Sequence, residues 1–153
     1  DLGKGVTPPE HWPHHHGHEM KGLKLIKAVC KRMKVPNEHR DLALLVSEFH
    51  THCHRVFDLK PATVLKVLDR MDAWRKPQRF EQFLDCCRAD LRGRTGFENE
   101  LYPQADFFAE AYQAAAAIPV QDIVKAGFQG SDIKVQLHER RTKAIAGLKR
   151  LQG

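Results

Sequence analysis

Apolar residues recur along this chain at the three-and-four spacing of helices, and nowhere does a period-two alternation last long enough to predict a strand. Met20, Leu23, Ile26, Cys30 and Met33 predict a first helix over 18–33. After Pro36-Asn37 the stripe Leu42, Leu45, Val46, Phe49 and Cys53 predicts a second, ending near Cys53. Pro61 stands where a first helical turn tolerates it, and Val64, Leu65, Leu68 and Met71 predict a third helix that continues until Pro77. Phe80, Phe83, Leu84, Cys87 and Leu91 mark a fourth over 78–91. The alanine-rich stretch 104–117 predicts a fifth from strong helix formers. Pro119 breaks it, and a short helix over 121–126 stops at Gly127. Gly130-Ser131-Asp132 then supplies a capping sequence for a last helix from Asp132 to about Arg150. The predicted fold class is all-α, a helical bundle with loops over 1–17 and over "RGRTGFENELYP".

Composition narrows the picture only a little. The chain has 153 residues, of which 42% are hydrophobic, enough for one domain or two small lobes sharing a core. No run of about 20 apolar residues is present, so no membrane span is predicted. The net charge of +6 fits a polyanionic partner without requiring one. Cys30, Cys53 and Cys87 fall on buried stripes, Cys86 adjoins Cys87, and no CxxC occurs. That pattern predicts reduced thiols in a cytoplasmic protein rather than a disulfide frame or a zinc cluster. The opening "DLGKG" has neither an initiator methionine nor a signal peptide before it, which predicts the interior of a longer protein.

Candidate chemistry lies in the histidines and in two aspartates. The ten histidines concentrate before residue 55. His50 falls at the edge of the buried stripe of the second helix, with His54 one turn on and His52 facing elsewhere. Such an imidazole either bonds a backbone carbonyl or serves as a ligand. Extending the third helix places Asp72 between Leu65 and Leu68 on the inward arc, with Asp69 at its margin. An inward carboxylate needs a cation or a donor, and one facing inward histidines makes an N/O site for a divalent metal.

"DLGKG" resembles the continuation of the His-Asp doublet in the HD superfamily of metal-dependent phosphohydrolases, and "GHE" and "LVSEFH" resemble further histidines of that family. The resemblance implies Asp1 as the Asp of the doublet, with His18, His50 and Asp72 as further metal ligands. "LDRMDAWR" can also be aligned so that Asp69 takes the distal role. Together with "VPNEHRDLALLVSEFH", "DAWRKPQRFEQF", "AD-x-RGRTGFE", "YPQ" and "AGFQGSDI", these motifs resemble the C-terminal half of the bacterial CCA-adding tRNA nucleotidyltransferases that carry an HD domain.

That resemblance covers the whole chain and implies a division into a truncated HD domain (1–74) and a helical tRNA-binding tail (75–153). For the HD part it implies phosphatase, 2′-nucleotidase and 2′,3′-cyclic phosphodiesterase activity with nickel or magnesium, Asp1 acting catalytically and Lys4 contacting the phosphate; a solvated loop lysine is the other reading of Lys4. The magnesium-dependent nucleotidyltransferase site would lie in a missing N-terminal half, together with the first His and the His of the doublet. The remaining alternative is a non-catalytic tRNA-binding module with a structural HD remnant. A third reading is an HD phosphohydrolase of free nucleotides, unrelated to tRNA. Arg75, Lys76, Arg79, Arg88, Arg92 and Arg94, and then Arg140, Arg141, Lys143, Lys149 and Arg150, are candidates for tRNA phosphates, against the plainer reading of a solvated surface. Partners implied are tRNA and the nucleotidyltransferase half, with self-association left open.

Overall fold

The computed structural model describes residues 1–148; Lys149 and Arg150, two of the candidate phosphate ligands, and the predicted end of the last helix lie outside the described residues. The helices are α1 (His18–Arg32), α2 (Asn37–His54), α3 (Pro61–Arg70), α4 (Pro77–Arg92), α5 (Pro103–Ala116), α6 (Val120–Lys125) and α7 (Ser131–Ala146), and no strand occurs among the described residues. A 3-10 turn over Leu2–Val6 opens the chain, and another over Val56–Asp58 links α2 to α3. None of the helices is long and apolar enough to cross a membrane.

Three helices start on a proline, Pro61, Pro77 and Pro103, where the missing N–H costs no hydrogen bond and φ is already helical. Pro77 therefore opens α4 and does not close α3. The third helix ends earlier than its apolar stripe predicts, at Arg70. Asp72 adopts a left-handed φ of 53°. Its N–H donates to the Asp69 carbonyl at 3.0 Å, and the Ala73 N–H donates to the Leu68 carbonyl at 3.1 Å. This is a Schellman ending built without glycine, in which the short polar side chain of an aspartate lowers the cost of positive φ. At the far end of the chain Gly130, with φ 56°, precedes α7 and makes no side-chain cap.

One apolar core joins α2, α3, α4, α5 and α7 across the expected division at residue 74. Leu65, Leu68 and Met71 lie on one side of that boundary, and Phe80, Phe83 and Phe108 on the other; all are buried. The rings of Phe80 and Phe108 meet edge to face at 5.5 Å. Arg141 of α7 lies 3.8 Å above the Trp74 ring, so a residue of the last helix covers the chain just after α3. Buried cysteines follow the predicted stripes: Cys30, Cys53 and Cys87 are buried, Cys86 partly so, and all four are free.

Removing the central ring should therefore weaken both halves together. Phe108→Ala is expected to cost about 3–5 kcal/mol in one cooperative transition, measured by urea unfolding followed by far-UV and near-UV circular dichroism. Two separate transitions would contradict a shared core.

Candidate metal centre

Two glycines bring the opening turn against α1 and α2. Gly3 is buried, and a methyl group there would overlap the His18 carbonyl oxygen. On α1 a methyl at Gly22 would come within 2.7 Å of the Ser47 hydroxyl oxygen. That hydroxyl donates to the Glu19 carbonyl at 2.9 Å, tying α2 to the first turn of α1. With backbone on backbone at these positions, Asp1 at the head of the turn reaches the two imidazoles that α1 and α2 present.

The ligand atoms of Asp1, His18 and His50 all lie within 4.8 Å of one another. His18 Nδ1 is 2.9 Å from the His15 carbonyl, and His50 Nδ1 is 2.9 Å from the Val46 carbonyl. A carbonyl can only accept, so each Nδ1 carries its proton and each Nε2 of the neutral ring has a lone pair. Those two Nε2 atoms face each other at 3.3 Å. Asp1 Oδ1 stands 3.4 Å from His18 Nε2 and 3.8 Å from His50 Nε2. Lys4 Nζ holds the other carboxylate oxygen, Oδ2, at 2.6 Å. Burial, opposed by the Val46 carbonyl, keeps the His50 imidazole below its ordinary pKa and so neutral, as a ligand must be.

With both rings neutral, three acceptors converge there with no donor between them, and they repel one another unless a cation sits among them. Metal–ligand bonds of roughly 2.0–2.2 Å at tetrahedral angles put neighbouring ligand atoms about 3.4 Å apart. The observed separations fit that spacing, and the mixed N/O set suits a borderline or hard divalent ion. The cavity beside the cluster, about 380 Å³, is lined by Asp1, His50, His39, Leu42, Val46 and Asp90, among others.

Asp72 is not part of this group. Because α3 has already ended, helical phase does not carry Asp72 inward; its carboxylate instead takes two hydrogen bonds from Arg75, each 2.8 Å, which hold it below the usual carboxylate range. Asp69 accepts from the Trp74 indole N–H at 2.7 Å and is equally engaged elsewhere. Among the basic candidates, Arg75, Lys76 and Arg79 line one polar cleft at the start of α4. Arg79 also donates to the Met71 carbonyl. Arg94 pairs with Asp90, Arg88 bridges Asp85 and Asp106, and Arg141 stacks on Trp74. Lys76, Arg92 and Lys143 are exposed, and Arg140 is half-buried.

Sequence reasoning passed over Asp90 and Tyr102. Asp90 sits 2.9 Å from His54 Nε2, and the Tyr102 hydroxyl 2.6 Å from His54 Nδ1. The signals were the "AD-x-RGRTGFE" and "YPQ" motifs, and the first acid of the former looks like any solvated helix carboxylate until α2 is packed against α4.

Known proteins include close relatives of this chain. The chain is 56% identical over 146 residues to the "Multifunctional CCA protein" of Pseudoalteromonas atlantica, and 52% identical over 149 residues to that of Shewanella frigidimarina. These matches take in 95% and 97% of the chain but 36% of each relative's own length. No family model and no solved structure matches the chain.

If the cluster is a cation site, His18→Gln and His50→Gln should each weaken nickel binding by at least about tenfold, and Gly3→Ala should do the same by lifting Asp1 off α1. Asp72→Asn should leave the affinity where it was. Isothermal titration with nickel chloride measures all four, and equal loss in Asp72→Asn would return that residue to the site.

Proposed function

We propose, on the premise that the chain belongs to the family of the multifunctional CCA proteins, that it carries a metal-dependent phosphohydrolase centre of HD type together with helices that grip tRNA. The observation that carries the first part is the pair of Nε2 atoms of His18 and His50 facing each other beside Asp1 Oδ1. Asp1, His18 and His50 would hold the ion. A bound divalent cation, nickel or magnesium, lowers the pKa of a water ligand and neutralises charge on a phosphate oxygen. Lys4, its ammonium 2.6 Å from Asp1 Oδ2, stands ready to contact the same phosphate. The activity class is that of a phosphatase, 2′-nucleotidase and 2′,3′-cyclic phosphodiesterase.

The second part rests on the surface after residue 74. Arg75, Lys76 and Arg79 share one cleft at the start of α4, Arg92 closes that helix with Arg94 just beyond it, and Arg140 and Arg141 lie on α7. Phosphates of a folded tRNA are the ligand such a spread of cations suits. The 1–74 and 75–153 division is then one of task rather than of core. Nucleotide addition would belong to the remaining length of the parent polypeptide, with its own magnesium, in the cytoplasm; the non-catalytic tRNA-binding module is the rival reading.

Purified protein should release the ring-opened product from a 2′,3′-cyclic nucleotide only when nickel or magnesium is supplied, followed by chromatography of the nucleotides; no metal-dependent turnover would favour the rival. The chain alone should incorporate no labelled CMP or AMP into tRNA. Its tRNA affinity should fall with salt, log K dropping by roughly 0.7–0.9 per phosphate neutralised for each decade. A filter-binding titration showing no salt dependence would remove the basic surface as the cause.

A further inference from the structure

Along α1 and the turn that closes it, lysines recur at i, i+3, i+7 and i+10: Lys24, Lys27, Lys31 and Lys34. On the helix that spacing sets them opposite the buried residues Gly22, Ile26 and Cys30, and all four are exposed. Like charges one turn apart repel along a helix surface. Among the described residues, none of the four makes a side-chain hydrogen bond or an ion pair. The arginines differ in this respect. Arg40, Arg55, Arg70, Arg75, Arg88 and Arg94 each lie against an aspartate or glutamate. The cations left without a counter-charge inside the protein are therefore gathered on α1.

The helix dipole favours cations in a last turn, which covers Lys31, but Lys24 and Lys27 lie a turn or more before it. Lys34 follows the helix with a left-handed φ of 53°, where glycine closes the turn at least cost. Its N–H donates to the Lys31 carbonyl at 3.3 Å, and the Val35 N–H to the Cys30 carbonyl at 2.9 Å. Lys27, Lys31 and Lys34 line one cleft of about 570 Å³, together with Arg40 and Asp41. A second cleft shares Lys27 and Asp41 with it and adds Arg70 and Arg79. A third, at the start of α4, shares Asp41 and Arg79 with the second and adds Arg75 and Lys76. The three clefts adjoin, so a line of cations runs from α1 to α4. Asp41, the acid common to all three, already takes two hydrogen bonds from Arg40, at 2.9 and 3.2 Å.

We propose that the lysine face of α1 is a nucleic-acid site in its own right, where Lys24, Lys27, Lys31 and Lys34 bind backbone phosphates of tRNA. From there the RNA track continues through the adjoining clefts to Lys76. The inference rests on the tRNA reading and carries that surface across the division at residue 74. Lys24 to Lys31 spans about 10 Å of helix at 1.5 Å per residue, the reach of a few successive phosphates of one strand. An ammonium suits such a contact because it is a compact point charge that demands no paired geometry. A strand bound there lies on the helix that also carries His18, so one rigid element holds both the polymer and a ligand of the metal centre.

The test is filter binding of a tRNA transcript to the full chain across a salt series. Combining Lys27→Gln, Lys31→Gln and Lys34→Gln should weaken binding at low salt by at least about tenfold. It should also lower the slope of log K against log salt by about two to three. Combining Arg55→Gln, Lys60→Gln and Lys66→Gln removes the same charge from exposed positions around α3 and should leave the slope as it was. Equal losses in the two triple variants would mean that only net charge is read, and would overturn the inference. A second measurement needs no substitution. Bound tRNA should protect Lys27, Lys31 and Lys34 of the unaltered chain from acetylation, read by peptide mass spectrometry, and leave Lys60 and Lys66 reactive. No protection at saturating tRNA overturns the inference, and so does equal protection by polyglutamate, which would assign the face to acidic proteins. A slope lowered in Lys76→Gln but kept in the α1 variant overturns the inference and spares the tRNA reading. Absence of salt-dependent binding by the unaltered chain overturns both.

Discussion

The structure turns on two hydrogen bonds from imidazole Nδ1 atoms to backbone carbonyls. By fixing the proton of His18 on the His15 side and that of His50 on the Val46 side, they leave two lone pairs directed at each other across 3.3 Å. Such a contact is unfavourable in the absence of a positive charge, and helices α1 and α2 must be held together against it. The Ser47 bond to the Glu19 carbonyl and the backbone contact at Gly3 and Gly22 do this, and the same contacts bring Asp1 to the open side. Local chain geometry thus sets a tautomer, the tautomer sets the charge requirement, and the charge requirement defines the ligand.

The core has a matching role. α2 presents Phe49 and Cys53 to the apolar interior and His50 and His54 along its adjoining edge, so the helix that anchors the bundle also carries half of the site. Packing α2 against α4 and α5 makes the Tyr102–His54–Asp90 chain possible, because residues 36 and 48 positions away from His54 must arrive with their polar atoms in register. Burial makes that chain sensitive to loss of any member, since a stranded donor or acceptor there costs roughly 1–3 kcal/mol. The basic side chains after residue 74 are placed by the same core, through α4 and α7, even though their own contacts are at the surface.

Most of this fold could be read from apolar spacing and proline. Most helices begin and end within a residue or two of the predicted bounds, because packing one face is what stabilises them, but α7 stops at Ala146, short of the predicted Arg150. Where the reading failed, at the end of α3, the signal was an aspartate in a left-handed turn, a place where glycine is the usual marker. The stripe through Met71 stays buried after the helix has stopped, so periodicity alone carries Asp72 inward while the backbone turns it to Arg75. His50 was legible from its place at the edge of the α2 stripe, but His18 and Asp1 only through the resemblance of "DLGKG" and "GHE" to a known pattern, since no spacing rule predicts that an opening turn will lie on α1. Asp90 was hidden for a different reason. Its meaning depends on a partner two helices away, and on a sequence strip it is one acid among many.

The central claim is that His18 and His50 share the Nδ1–H tautomer so that both Nε2 atoms are free for a cation. Long-range proton–nitrogen NMR correlation of histidine-labelled protein reports which ring nitrogen carries the proton. The expected spectrum has protonated Nδ1 and bare Nε2 in both residues, with the two Nε2 resonances, and not those of His54, moving when zinc or nickel is added. A proton on Nε2 of either residue in the metal-free protein, or Nε2 resonances that stay fixed at saturating metal, would contradict the account.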